Sequence, residues 1–385
     1  MRRGYAHGFM DRLKRTALTT FHQERRAVFT RVAGYQMPLY HRSHLLDYRA
    51  ARDRCMLADL GCFELVRING ARARAFLDRH SPQRLEGMPV GTVMRILLTS
   101  EDGAALSMPL AFFLDTFVLL MLDPEGIDPV LDLLADHVDF DVDVETFNDA
   151  FAPWALIGPE CDAVFERLTR GEACAVEVGR VAVGSIYTAR VIVASTRLYG
   201  EPAYLLLVGL GHVQMVLERL LDAGGDLLSP GGISALDMLR IEEGTPLSGQ
   251  ELTPNSLPHE LGLMHMVDFD KRTFTGREAI HQAAAEAKGN WLSALVMHGH
   301  LIPRRNMQVF AGSKLVGYVT SGCYSPELEC GVGMAMLDRR AAFKGSEVQI
   351  AAHGRRFAAE IVSRPIVLNR RTMGLHRHPN EEVAS

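Results

Sequence analysis

A chain of 385 residues, 48% hydrophobic and 23% charged, has the apolar content of an ordinary globular protein and the length for two or three cores. Its formal net charge of −5, with both signs interspersed, excludes the basic footprint of a nucleic-acid-binding surface. No apolar run reaches the roughly 18 residues that span a bilayer, and six cysteines without a CxxC pair exclude a disulfide framework and point to reduced, mostly buried thiols in the cytoplasm.

Residues 1–30 begin with a basic stretch containing Arg2, Arg3, Arg12, Lys14, Arg15, Arg25 and Arg26. It lacks the apolar core of a secretory signal, and the expectation is a solvated N-terminal arm. A turn and an extended segment follow over 32–40, where Pro38 pushes Met37 to an extended conformation. Helical spacing is predicted over 45–57, a strand over 63–68, and a helix over 71–79 after the Asn69-Gly70 turn. Over 93–122 the pattern is strand, turn at Glu101-Asp102-Gly103, then an apolar hairpin. A new unit starts near Phe147: a strand ending in Gly158-Pro159, a helix over 163–168, and two strands over 181–194. The run ending in Gly209-Leu210-Gly211-His212 imitates a dinucleotide fingerprint, but Gln214 stands where its third glycine belongs, so it reads as a tight strand-to-helix turn.

The next stretch, 235–280, opens as a helix with Ile233, Leu236, Leu239 and Ile241 on an approximate apolar face and Gly244 placed to end it. Arg240 is expected to leave that helix away from the apolar stripe. Gly289-Asn290 marks a boundary, after which short β-rich runs over 291–367 are predicted to form a small antiparallel barrel. The tail over 371–385 is expected to be disordered. His376-x-His378 reads as part of that solvated tail, and His259 and His265 lack the H-E-x-x-H spacing, so no metal site is assigned.

Several words in this order are specific. They are Leu239-Arg240-Ile241-Glu242-Glu243-Gly244, Leu247-Ser248-Gly249-Gln250-Glu251, Pro258-His259-Glu260-Leu261-Gly262-Leu263, Phe274-Thr275-Gly276-Arg277-Glu278-Ala279 and Gly317-Tyr318-Val319-Thr320-Ser321-Gly322-Cys323-Tyr324-Ser325-Pro326. Together they resemble the aminomethyltransferase family, the glycine cleavage T-protein and its folate-dependent demethylase relatives, over roughly 32–367. The resemblance implies an α+β, tri-lobed arrangement: two mixed α/β lobes and a C-terminal antiparallel β-barrel around a central channel. The folate-type region would span 31–288, with a second lobe inserted at roughly 55–145, and the barrel 289–370.

The resemblance also implies a folate-dependent methyl or aminomethyl transferase that uses tetrahydrofolate and a small-molecule methyl donor. In the family an aspartate in a turn faces the reacting one-carbon unit, a glutamate grips the pterin and a tyrosine stacks on it. At those places this chain carries Ser107 and Met108, Leu205 and Leu198. Met94 and Leu122 likewise replace a family tyrosine and asparagine. The absence of the reacting aspartate favours a demethylase-like relative over the glycine-cleavage enzyme itself, while Met94, Met108, Leu122, Leu198 and Leu205 favour an alternative. The alternative is a non-catalytic or repurposed member that binds another anionic, apolar-bodied ligand, a protein partner or a second copy. An iron–sulfur-assembly relative is disfavoured, because no cysteine stands in Glu243-Gly244-Thr245-Pro246-Leu247-Ser248-Gly249-Gln250-Glu251. Channel-lining positions implied by the alignment are Arg240, Met94, Tyr199, Leu205 and His265. Arg240 either meets a ligand anion or pairs with Glu242, Glu243 or Glu251.

Overall fold

The computed structural model describes residues 13–135, 141–170, 176–286 and 289–367. Calls made on 1–12, on 371–385 and on Cys174 lie outside them. Among the described residues one eleven-stranded sheet joins both α/β lobes. The inserted lobe, called the first lobe below because it opens the strand order, supplies Asp143–Thr146, Glu64–Asn69, Phe117–Leu122, Leu110–Phe113 and Thr92–Arg95 in spatial order. The second continues with Arg180–Ile186, Ala189–Leu198, Glu201–Gly209, Phe151–Ile157, Cys55–Asp59 and Leu228–Gly231. The seam is narrow: Arg180 pairs with Thr92. Cys55–Asp59 pairs with Phe151–Ile157 and with Leu228–Gly231. It therefore belongs to the second lobe, and the inserted lobe starts after it, with Glu64–Asn69.

The strands at the middle of this sheet, such as Phe151–Ile157 and Glu201–Gly209, are buried on both faces and read as continuous apolar runs. Helices Cys161–Thr169 and Val213–Gly224 cover one side around Trp154, Phe165 and Leu220. Helices Ala73–His80 and Ile127–Leu134 do the same for the first lobe around Phe76, Phe113 and Leu120. The third unit is a closed antiparallel barrel with strand order Asn290–Met297, Cys330–Asp338, Lys314–Ser325, Gln308–Ala311, Glu347–Ala352 and Arg355–Val362. The barrel has its own core around Val309, Val319, Leu337 and Ile350. Its outer residues Leu292, Cys323, Val332 and Met334 join the main core.

Helix Ile233–Glu243 lies between the three units. Its C-terminus follows from Gly244, whose φ of +80° carries the chain into the left-handed region while its N–H bonds back to Arg240 and Ile241. At the other end Gly232 lets the helix start press on the Val28–Val32/Tyr35–Tyr40 hairpin, where a Cβ would sit 2.3 Å from the Leu39 carbonyl. The expectation of one apolar face is corrected: Ala235, Leu236, Met238, Leu239, Arg240, Ile241 and Glu242 are all buried, so burial runs most of the way round the helix and leaves Asp237 as its open side.

The N-terminal expectation is also corrected from residue 18 onward. Helix Thr19–Glu24 and strand Val28–Val32 are ordered elements, and Leu18 and Phe21 pack into the second lobe's core. This segment closes a buried polar chain. His22 lies 3.1 Å from Asp59 through Nε2 and 3.0 Å from His41 Nε2 through Nδ1, and the Thr16 hydroxyl donates to the same Asp59 oxygen. With His22 Nε2–H donating to the Asp59 carboxylate, neutral His22 accepts at Nδ1 from His41 Nε2–H, and His41 Nδ1 has no partner among the described residues.

Burial first, then His22, Arg25 and Arg42, push the His41 imidazole down from 6.5 to about 4. The unfolded chain takes up that proton near 6.5, the folded one only near 4. Stability from this group is therefore complete above the ordinary imidazole range and lost as pH falls toward about 4. Melting temperature followed against pH should drop through that window, and His41→Gln should flatten the slope. An unchanged slope in the variant would sink the assignment.

Candidate functional site

Where the hairpin, the central helix and the barrel meet, a cavity of about 660 Å³ opens, a size suited to a small molecule or cofactor. Val32, Phe63, Leu236, Met238 and Tyr324 form apolar wall. Three exposed arginines stand at it, Arg31 from the hairpin and Arg304 and Arg305 from the barrel, against one glutamate, Glu125. Arg305 donates to the Gly249 carbonyl at 3.0 Å, which leaves its charge unneutralised by that contact.

Arg240 lies on the cavity wall with only 2% exposure. Its Nε donates to Asp237 at 2.7 Å, Nη1 to Glu251 at 3.0 Å, and Nη2 to Gln250 and to Ser321 of the barrel at 3.1 and 2.8 Å. Burial works against its charge, but Asp237 and Glu251 outweigh that and hold its pKa above the ordinary guanidinium value. Of the partners expected from sequence, Glu251 is the one present, and Glu242 goes elsewhere. Glu242 accepts from Arg52, Tyr48 and Ser325, and Arg52 also donates to Glu201. Pairing of Arg240 has not closed the cavity.

Tyr199 also lines the cavity. It sits at φ +52° in the corner between Ala189–Leu198 and Glu201–Gly209, a left-handed position at the turn of the two strands. Burial, then the nearby Asp123, pushes its phenol well above the ordinary range.

The remaining alignment-based positions are corrected. Met94 packs with the first lobe's core, because strand alternation sends Val93 to the main core and Met94 to the opposite face. Leu205 and Leu198 are sealed in the main core, and Leu122 in that of the first lobe. His265 is exposed, with Nδ1 3.2 Å from the Gly262 carbonyl, and is not on the cavity wall. Ser107 and Met108 are buried behind the wall rather than on it. Among the described residues no group of His, Cys, Asp and Glu could hold a metal ion.

Sequence reasoning missed Asp237, Ser248 and Asp123, together with Arg31, Arg304 and Arg305. Asp123 carried a signal: an acidic residue directly after the strand Phe117–Leu122. Cys323 also lines the cavity, where burial raises its thiol pKa and keeps it protonated and unreactive.

A two-lobed sheet, a buried helix and a closed six-stranded barrel meeting at one cavity define a three-unit transferase fold of the T-protein type. The GCVT N-terminal domain model matches residues 18–271 and the glycine cleavage T-protein C-terminal barrel domain model matches 292–367, so the chain belongs to that family. It is similar to the aminomethyltransferases of Streptomyces coelicolor, 31% identical over 92% of this chain and 97% of the relative, and of Streptomyces avermitilis, 30% identical over 91% and 97%. Among solved structures it is similar to glycine cleavage system aminomethyltransferase T from Bartonella henselae, with a TM-score of 0.85 and 22% identity over 93% of this chain and 99% of that one. That likeness establishes the fold.

Two outcomes test this geometry. The Ser107 hydroxyl is buried without a partner among the described residues, a defect worth ~1–3 kcal/mol; Ser107→Ala should leave the melting temperature equal or raise it, and a clear drop would contradict the placement. Arg240→Ala strands the buried Glu251 carboxylate and should cost ~3–5 kcal/mol, read as a lower midpoint in urea with an unchanged slope.

Proposed function

We propose that the chain is a tetrahydrofolate-dependent one-carbon transferase of the demethylase kind, its methyl donor a small methylated sulfur, oxygen or nitrogen compound. The observation that carries this is the cavity itself: largely apolar walls sized for a cofactor, with three exposed arginines among the lining residues. Family membership supports the transferase class.

The residues present fit a folate in size and charge. Arg31, Arg304 and Arg305 would hold its carboxylates, while Phe63, Leu236, Met238 and Tyr199 would flank its ring body. Arg240 is already neutralised by Asp237 and Glu251, so the anion-binding role passes from it to the three exposed arginines. Bound folate supplies a ring nitrogen that accepts the one-carbon unit. The protein's own contribution is to hold donor and acceptor together and exclude water, and orientation alone yields large rate gains. The sealing of Ser107 and Met108 behind the wall is what favours a donor already activated by its own charge over one needing a turn carboxylate.

A second reading, a repurposed member binding another ligand or a protein partner, is favoured by Leu198 and Leu205, which close the pterin-gripping positions with core side chains.

Calorimetric titration with tetrahydrofolate separates the two. Binding tighter than about 100 μM, weakened roughly tenfold by the Arg304→Ala/Arg305→Ala pair, supports the transferase. Formation of methyltetrahydrofolate from a panel of methylated donors completes the case. Silence at millimolar tetrahydrofolate would transfer the assignment to the second reading.

A further inference from the structure

Asp123 ends the strand Phe117–Leu122 with 7% of its surface exposed, and it forms no ion pair among the described residues. The groups that face it come from four directions. Arg95, on strand Thr92–Arg95, gives its Nη1 to the Met108 carbonyl at 2.8 Å. Arg240, on the central helix, is held by Asp237, Glu251, Gln250 and Ser321. Tyr199 and Cys62, both buried, face it from the strand corner and from the start of the first lobe. Ser248 alone bonds to it directly, its hydroxyl donating to Asp123 Oδ2 at 3.3 Å.

Ser248 is itself a wall residue of the cavity, as are Tyr199 and the Pro124-Glu125 pair that follows Asp123. The space for the serine hydroxyl is kept by Gly126, where a Cβ would come within 2.8 Å of Ser248 Oγ. The backbone of Gly126 has an ordinary φ of −105°, so that glycine answers to the hydroxyl and not to chain geometry.

We propose that Asp123 is a positioning residue that sets, through Ser248, what a ligand must present to this wall. With Asp123 ionised, the Ser248 proton points back to the carboxylate and the cavity meets its lone pairs, which select a ligand N–H or O–H. With Asp123 protonated, the carboxylic acid donates to Ser248 and frees the serine proton for a ligand acceptor. Burial raises the Asp123 pKa above the usual carboxylate range, while Arg95, the Ser248 hydrogen bonds and Arg240 pull it down less strongly. The exchange between the two states therefore moves toward neutral pH. The ligand-selecting part of this proposal rests on the cavity's being a binding site; the Asp123–Ser248 coupling does not.

The coupling is tested on ligand-free protein by carbon-13 NMR of labelled aspartate carboxyls. The resonance missing in Asp123→Asn should titrate above the ordinary carboxylate range near 3.9. Ser248→Ala removes a bond to the charged form and should raise that midpoint further. Gly126→Ala, whose Cβ presses on the serine hydroxyl and meets Asp123 only in ordinary van der Waals contact with its backbone carbonyl, should do the same. A midpoint in the ordinary range, or one unmoved in both variants, overturns the proposal. The selection is tested with 5-formyltetrahydrofolate by calorimetry across the same pH window. Affinity should change with pH in the parent protein and lose that dependence in Asp123→Asn. Equal pH dependence in the two would overturn the selecting role. If the parent protein does not bind this probe, the folate reading fails, and the NMR midpoints still decide the Asp123–Ser248 coupling.

Discussion

The fold depends on one helix that buries two opposite charges two residues apart and has them satisfied by other units. Arg240 and Glu242 lie on different sides of Ile233–Glu243, and each reaches a serine of the same barrel strand, Ser321 and Ser325. Arg240 also takes Glu251 from the following loop, and Glu242 takes Arg52 and Tyr48 from helix His44–Asp53. A buried charge lacking its partner is destabilising by several kcal/mol (~3–5). The helix can therefore be buried to this extent only when both the second lobe and the barrel are docked. This makes the helix a registry device: the barrel cannot shift along it without stranding a charge. The backbone adds to this, since Ile366 after the barrel donates to the Glu242 carbonyl at 2.7 Å.

The same arrangement produces the cavity. The barrel is held at the helix by its serines and by an apolar patch of Leu292, Cys323, Val332 and Met334 in the main core. Side chains such as Leu236, Asp237 and Met238 are left facing a gap that the hairpin and the barrel residues at Arg304 enclose. These contacts cover part of the junction, and the opening lies beside them in an otherwise close-packed molecule.

Much of this was legible in the order of short words along the chain, since Leu239 to Gly244, Gly249 to Glu251 and Thr320 to Pro326 are the segments that meet at the helix. What those words did not carry was contact. The Arg52–Glu201–Glu242 cluster joins residues far apart in sequence, and no spacing rule announces it. Met94 failed for a different reason: neighbouring positions on a strand face opposite ways, so alignment to within one residue still picks the wrong side. The N-terminal segment failed because its basic composition hid Leu18 and Phe21, whose burial depends on a lobe the chain has not yet reached.

The positions at which this chain departs from the family pattern looked from sequence like a cavity made apolar. In three dimensions the departures fall on two separate layers. Leu198, Leu205 and Met108 thicken the main core and Leu122 that of the first lobe, while the cavity wall keeps Tyr199, Ser248, Asp237 and Gln250 beside Arg240. One carboxylate, Asp123, stands just behind that wall at the next position after Leu122, bonded to Ser248. A serine is thus interposed between this carboxylate and the cavity. A carboxylate in direct contact offers a ligand a full charge. One acting through a hydroxyl offers a hydrogen bond whose direction depends on its own proton. Under the role proposed for Asp123, that difference in chemistry, more than any loss of polar residues, is what distinguishes this cavity wall.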